Sequence, residues 1–176
     1  MKILHDLKVK FDIFDAKAIR DDLLLFSVEK EILIPLLLYL KEQHSYRTLI
    51  MISTVDWIED EKFQLSYILW NPYINHNIIV RTFIQRKKPE FETISNIWPQ
   101  AEVFERELKE LYGINFKGNK RVDENFILED WDNIPPMRRD FDSRDYSLKK
   151  FGKRFKKNEV IIRKEISEQY DEWRRK

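Results

Sequence analysis

The 176-residue sequence predicts an α+β fold: a small antiparallel sheet packed with helices, followed by a long irregular C-terminal extension. Three observations lead there. Residues 48–85 hold apolar-alternating runs joined by turns, residues 101–112 carry one amphipathic stripe at helical spacing, and residues 117–145 keep neither period while staying rich in aromatics and proline. The boundary this implies lies between 116 and 117, with 1–116 a globular domain and 117–176 an extended segment that docks on a partner and has a helix expected at its end.

In chain order, Leu7, Val9, Phe11 and Ile13 alternate with polar residues and predict a strand with one buried face. Residues 23–28 predict another. Residues 31–43 are apolar nearly all round and predict a buried helix, which tolerates Pro35 best if it begins only a residue or two before it. Residues 48–55 are β-branched and aliphatic, and a charged turn at 59–61 leads into Phe63, Leu65, Tyr67 and Leu69, which makes a hairpin. Asn71-Pro72 marks the next turn, and Ile78, Val80, Thr82 and Ile84 supply the third strand of a meander. After Trp98-Pro99, residues Ala101, Phe104, Leu108 and Leu111 form a helical stripe that Gly113 stops. Residues 158–176 read as a final helix.

Composition narrows the function. With 32 Lys plus Arg against 31 Asp plus Glu, no field of one sign exists to gather nucleic acid or anionic lipid. The absence of Cys removes thiolate ligation of an iron–sulfur cluster, a thiolate nucleophile and disulfides. The three histidines, His5, His44 and His76, show no metal-site spacing and read as surface or turn residues. The longest apolar run, residues 32–40, is too short to span a bilayer, and Asp6 and Lys8 argue against a secretory signal at the start. A charged fraction of 36% with only 3 Gly leans toward a thermophile's protein.

Two catalytic or binding alternatives arise from local clusters. Glu102, Glu105, Glu107 and Glu110 raise a carboxylate-dependent hydrolase, but at about 100° per residue Glu105 and Glu107 flank the apolar stripe on opposite sides, while Glu102 and Glu110 look outward, so they do not converge. The basic and aromatic residues from Arg138 to Lys157 raise a single-stranded nucleic-acid module, which Asp140, Asp142 and Asp145 weaken by cancelling phosphate attraction. A protein interface suits the Trp, Arg and Pro content of 117–145 better.

Several motifs then coincide. Glu105-Arg106-Glu107 is followed by Glu110-Leu111-Tyr112-Gly113-Ile114, Phe116 and Gly118, and further on stand Leu128-Glu129-Asp130-Trp131 and Pro136-Met137-Arg138-Arg139-Asp140-Phe141. With Ser53-Thr54-Val55-Asp56-Trp57 upstream, this pattern resembles the thirty-kilodalton subunit family of respiratory complex I, whose relatives also occur in energy-converting membrane-bound hydrogenases. The likeness spans about residues 46–142. Departures are the loop 119–124, which lacks the family's usual His-Pro and Arg-Arg, Glu110 in place of Asp, and a Leu-Asp-Trp stretch one residue shorter.

The resemblance implies a non-catalytic scaffold subunit in the peripheral arm of a membrane oxidoreductase, of hydrogenase or NADH:quinone type, on the cytoplasmic side of the cell membrane. It implies as partners the large hydrogenase-like subunit, of the forty-nine-kilodalton type, and the small iron–sulfur subunit, with no nucleic acid and only indirect membrane contact. It places no cofactor in this chain and expects iron–sulfur clusters, with a nickel–iron centre as a further candidate, in partner subunits whose electron transfer is coupled to ion translocation. The implied interface residues are Glu105, Arg106, Glu107, Phe116, Trp131, Pro136, Arg138, Arg139, Asp140 and Phe141, with Arg138 and Arg139 meeting carboxylates or carbonyls of the partner.

Overall fold

The computed structural model describes residues 2–152. The chain runs through α1 (Lys2–Lys10), β1 (Phe14–Arg20), β2 (Leu23–Ser27), α2 (Lys30–His44), β3 (Thr48–Trp57), β4 (Lys62–Asn71), β5 (His76–Gln85), β6 (Glu90–Glu92), α3 (Ala101–Tyr112), β7 (Asn115–Lys117) and α4 (Ser143–Phe151). This is the α+β class expected. Five strands form one sheet in the order β1-β2-β5-β4-β3, and β6 pairs with β7 in a second, two-stranded sheet.

The β3–β4–β5 meander is antiparallel throughout, as the alternation predicts. The sheet as a whole is mixed, because β2 pairs with β5 in parallel, Leu24 opposite Ile78 and Phe26 opposite Val80. Helix α2 lies between β2 and β3 in sequence, and its Leu33, Leu36, Leu37 and Leu40 are buried with Phe26, Tyr67, Leu69 and Val80 in the main core. Helix α3 packs against β3, and the Tyr112 and Phe63 rings meet edge-on at 6.0 Å, which puts both helices on the same sheet face.

The N-terminal expectation is corrected. Residues 2–10 are helical, and Ile3, Leu4, Leu7 and Phe11 turn toward the core at helical spacing while Val9 faces out. Helix α2 also begins five residues before Pro35. The proline lies on the exposed side, where the Glu31 carbonyl that it leaves without its helical partner can reach water. His44 and His76 are half-buried, bonded to Asp6 at 2.9 Å and to the Tyr46 hydroxyl at 2.7 Å.

The sequence reading sets a boundary at 116/117, and packing within the chain divides it elsewhere. Residues 1–141 form one compact unit, and the second begins at Asp142. In that second unit α4 is capped by the Asp142 carboxylate, which accepts from the Arg144 and Asp145 N–H groups, both at 2.9 Å. The helix expected over 158–176 lies outside the described residues.

Candidate functional site

The segment after α3 carries most of the residues expected to bind a partner, and its own chain holds it in place. Glu110 anchors its start, its carboxylate accepting three successive N–H groups, from Phe126 at 2.6 Å, Ile127 at 2.8 Å and Leu128 at 2.9 Å. A carboxylate cradled by consecutive amides makes strong charge-assisted bonds, so this loop has a fixed backbone without any regular structure. The spacing argument that set Glu110 facing outward missed this, because hydrogen bonds to loop amides leave no period in the sequence.

The middle of the segment closes the C-terminus of α3. The Met137 N–H donates to the Leu111 carbonyl at 3.0 Å and Arg138 Nε to the Tyr112 carbonyl at 2.7 Å, satisfying acceptors that a helix end leaves open. Gly113 permits the approach. Its φ of +77° is left-handed, and a Cβ there would lie 2.9 Å from Arg138 Nη2 and 3.1 Å from Pro135 Cγ. Gly113→Ala is therefore expected to cost about 1–3 kcal/mol, seen as a lower thermal midpoint with faster proteolysis of residues 126–141; an unchanged midpoint would contradict the close packing.

The end of the segment is fastened to the sheet. Arg86 holds Asp56 through two bonds, at 2.8 and 3.1 Å, and reaches Asp140 at 2.7 Å. Asp56 also accepts the Arg139 N–H at 2.9 Å, and the Arg139 guanidinium pairs with Glu59. Burial would raise the Asp56 pKa, but the Arg86 guanidinium and the Arg139 N–H outweigh it and hold it below its ordinary value. Burial lowers that of Arg138, helped by the charge of Arg86, and both guanidinium groups lie over the Phe63 ring, at 5.4 and 5.7 Å from its centroid.

Of the expected interface residues, Glu105 and Phe116 are buried inside this chain, which leaves neither side chain at its surface. Glu105 accepts from Thr93 Oγ1 at 2.6 Å, the Ile94 N–H at 2.8 Å and Asn119 Nδ2 at 2.9 Å, which ties two loops to α3. A buried carboxylate so engaged is not offered to a substrate. Arg138, Arg139 and Asp140 also find their partners within the chain. Arg106 pairs with Glu124 at 3.2 Å and lies against the Phe126 ring, while the Glu107 side chain forms no hydrogen bond or ion pair among the described residues. The Trp131 and Phe141 rings meet at 5.4 Å, tilted by 60°, and Pro136 is half-buried.

Among the exposed Glu129, Asp130, Asp132 and Asn133, this pinned segment also holds three large apolar side chains in solvent. Ile127 is 66% exposed, Met137 54% and Ile134 39%. Large side chains held exposed on a fixed backbone are the makings of a protein-binding surface. Among the described residues no three His, Asp or Glu side chains gather into a metal site, and no helix is long and apolar enough to cross a membrane.

Comparison with known proteins agrees with the motifs. The model of the family described as the thirty-kilodalton subunit of respiratory-chain NADH dehydrogenase matches residues 26–147. The C-type subunit of NADH-quinone oxidoreductase from Rickettsia prowazekii (strain Madrid E) is 32% identical over 160 residues, covering 89% of this chain and 80% of its own. A C/D-type subunit of the same enzyme from Aquifex aeolicus (strain VF5) is 32% identical over 117 residues, which are 66% of this chain and 20% of that longer one. Among solved structures, a chain of the membrane-bound sulfane sulfur reductase, an archaeal respiratory membrane complex, matches with a TM-score of 0.80 at 28% identity, over 88% of this chain and 93% of that one. A trypsin-resistant fragment of Nqo5 shares the fold, at a TM-score of 0.56 and 22% identity over 67% of this chain and 95% of its own. With its motifs, its fold and the matched span in agreement, the chain belongs to the family of the thirty-kilodalton subunit of respiratory-chain NADH dehydrogenase.

Proposed function

We propose that this protein is a structural, non-catalytic subunit in the peripheral arm of a complex I-like membrane oxidoreductase, on the cytoplasmic side, where it docks on the large hydrogenase-like subunit of the forty-nine-kilodalton type. The observation that carries the reading is the pinned segment 126–141, which displays Ile127, Ile134 and Met137 to solvent from a backbone already ordered by Glu110, Asp56 and Arg86. A preorganised apolar surface loses little conformational entropy on binding, so its side chains convert efficiently into affinity. The Aquifex aeolicus relative supports the choice of partner, since there the matching region is one part of a longer chain whose name joins the C and D subunits. The chain has no Cys, so the redox work falls to clusters in neighbours, the small iron–sulfur subunit and, in a hydrogenase-type complex, a nickel–iron centre in the large one. Electron flow through them is coupled to ion translocation, and this protein supplies shape and adhesion.

Changing Ile127→Asp and Met137→Asp together is expected to weaken capture of the coexpressed large subunit by at least about tenfold. The thermal midpoint of the isolated chain should stay within about 2 °C, because both side chains already face water. Undiminished capture by the double variant, measured by quantitative pull-down and native mass spectrometry, would remove the basis of the proposal.

A further inference from the structure

The two helices that cover the five-stranded sheet leave its other face open. Strand register places three rows of side chains across it. Met51, Ile68, Ile79 and Leu25 form one row and Val55, Gln64 and Phe83 another; between them runs a row of small residues, Ser53, Ser66 and Ser27, interrupted by Arg81. Rows two residues apart along a strand are about 7 Å apart, so the small row is a trench between two ridges that crosses four strands. Met51, Val55 and Trp57 are 40–42% exposed. The trench opens into a cavity of about 530 Å³ lined by Phe14, Trp57, Gln64, Arg81 and Phe83 among others.

Arg81 is the unusual member. Its side chain is 21% exposed, its Nε is buried without a hydrogen-bond partner, and its nearest carboxylate, the exposed Asp15, stands 4.0 Å from Nη2. Beside it in the register, Ser27 is wholly buried with an unpartnered Oγ. Gln64 by contrast is engaged, donating to Ser66 Oγ at 3.0 Å and accepting from Trp57 Nε1 at 3.2 Å. The cavity rim carries Lys62 with Asp60 and Glu29, so the rim itself offers no excess of positive charge, and recognition falls to the unpartnered Arg81 Nε and Ser27 Oγ.

We infer that this open face is a second docking surface, and that its occupant is a segment of another subunit of the complex that delivers an Asp or Glu carboxylate to Arg81 and Ser27 between the two ridges. A planar guanidinium with a free donor suits a carboxylate, which can take two parallel bonds from it. A purely apolar partner would leave Arg81 Nε and Ser27 Oγ without hydrogen-bond partners, and that penalty selects against it. A second copy docked by two-fold symmetry would bring a second Arg81 to the same trench, cation against cation. The inference rests on the subunit role proposed above, but concerns a different face from the pinned segment.

The test uses the complex purified from its host through a tag on the full chain. Oxidative footprinting should modify Met51 and Trp57 in the isolated chain and at least fivefold less in the complex. A photo-crosslinking residue in place of Val55 should capture an Asp- or Glu-bearing peptide of another subunit. Arg81→Glu should reduce recovery of the complex at least tenfold, and changing the captured acidic residue to Lys should restore it. Equal labelling of Met51 and Trp57 in a complex that still holds the large hydrogenase-like subunit would overturn this inference alone. Crosslinking of residue 55 only to a second copy, or only to residues 153–176 of the same chain, would overturn it too, whereas failure of the wild-type chain to join any complex would sink both readings.

Discussion

Replacing Asp56 with Ala is expected to lower the unfolding free energy by about 3–5 kcal/mol, the cost of removing one partner from a buried ion pair. The Asp56 side chain is 2% exposed and serves three donors, two from the Arg86 guanidinium and one from the Arg139 backbone. Its loss strands Arg86 against the Phe63 ring with only Asp140, and releases Arg139 from the end of β3. Urea denaturation should show the drop, and trypsin should cut at Arg138 and Arg139 under native conditions. Asp56→Asn, which keeps one acceptor oxygen, should lose less. A loss below about 1 kcal/mol for the Ala variant, with unchanged cleavage, would mean that the segment is held elsewhere.

Acid should act on the same clasp. Asp56, Glu59 and Asp140 all have pKa values below their ordinary ones: Glu59 through its bond to Arg139, Asp140 through Arg86, and Asp56 because Arg86 and Arg139 outweigh its burial. A depressed folded-state pKa gives stability that is present above the unfolded value and lost as pH falls through the folded one. The clasp therefore weakens below about pH 4, and protease sensitivity of residues 126–141 should rise there before the sheet unfolds.

The second large effect is expected at Glu105. Glu105→Ala should cost about 3 kcal/mol or more, because it leaves the buried Ile94 N–H and one Asn119 donor without acceptors and opens a gap under α3. Burial raises the Glu105 pKa even though bonds from Thr93, Ile94 and Asn119 pull the other way. The sign of its pH effect is opposite to that of Asp56. A raised folded-state pKa means that the native protein keeps the proton longer, so this group's stabilisation is full below the unfolded value of 4.5 and declines as pH rises through the folded one. Glu105→Gln should flatten that slope at a smaller cost in stability than Ala. Equal losses for Ala and Gln, with the wild-type pH slope retained in both, would show that the carboxylate is not what organises the loops.

Much of the sheet and α3 could be read from apolar spacing, because each element buries one face and keeps the other wet. The meander follows from the alternation Phe63, Leu65, Tyr67 and Leu69, and α3 from Ala101, Phe104 and Leu108 with Gly113 at its end. Spacing misled at the N-terminus, where Leu7, Phe11 and Ile13 fit a strand pattern by accident while Ile3, Leu4, Leu7 and Phe11 supply the face that packs. The parallel pairing of β2 with β5 joins residues far apart in sequence and leaves no local signature. The segment 117–141 was harder still. It is rich in binding-type side chains, yet its order comes from backbone N–H groups meeting Glu110 and Asp56, contacts that no periodicity encodes.

That same β2–β5 pairing also sets an order of events during synthesis. Leu23 pairs with Asn77 and Ser27 with Arg81, so β2 leaves the ribosome about fifty residues before the neighbour it needs. Until β5 emerges, β2 has β1 on one edge only, and the apolar run Leu23-Leu24-Leu25-Phe26 can shelter only against α1, α2 or a chaperone. The meander meets no such delay, since each of its strands adjoins the next in sequence. The nascent chain thus gains a nucleus late and from the middle, with its first two strands recruited afterwards.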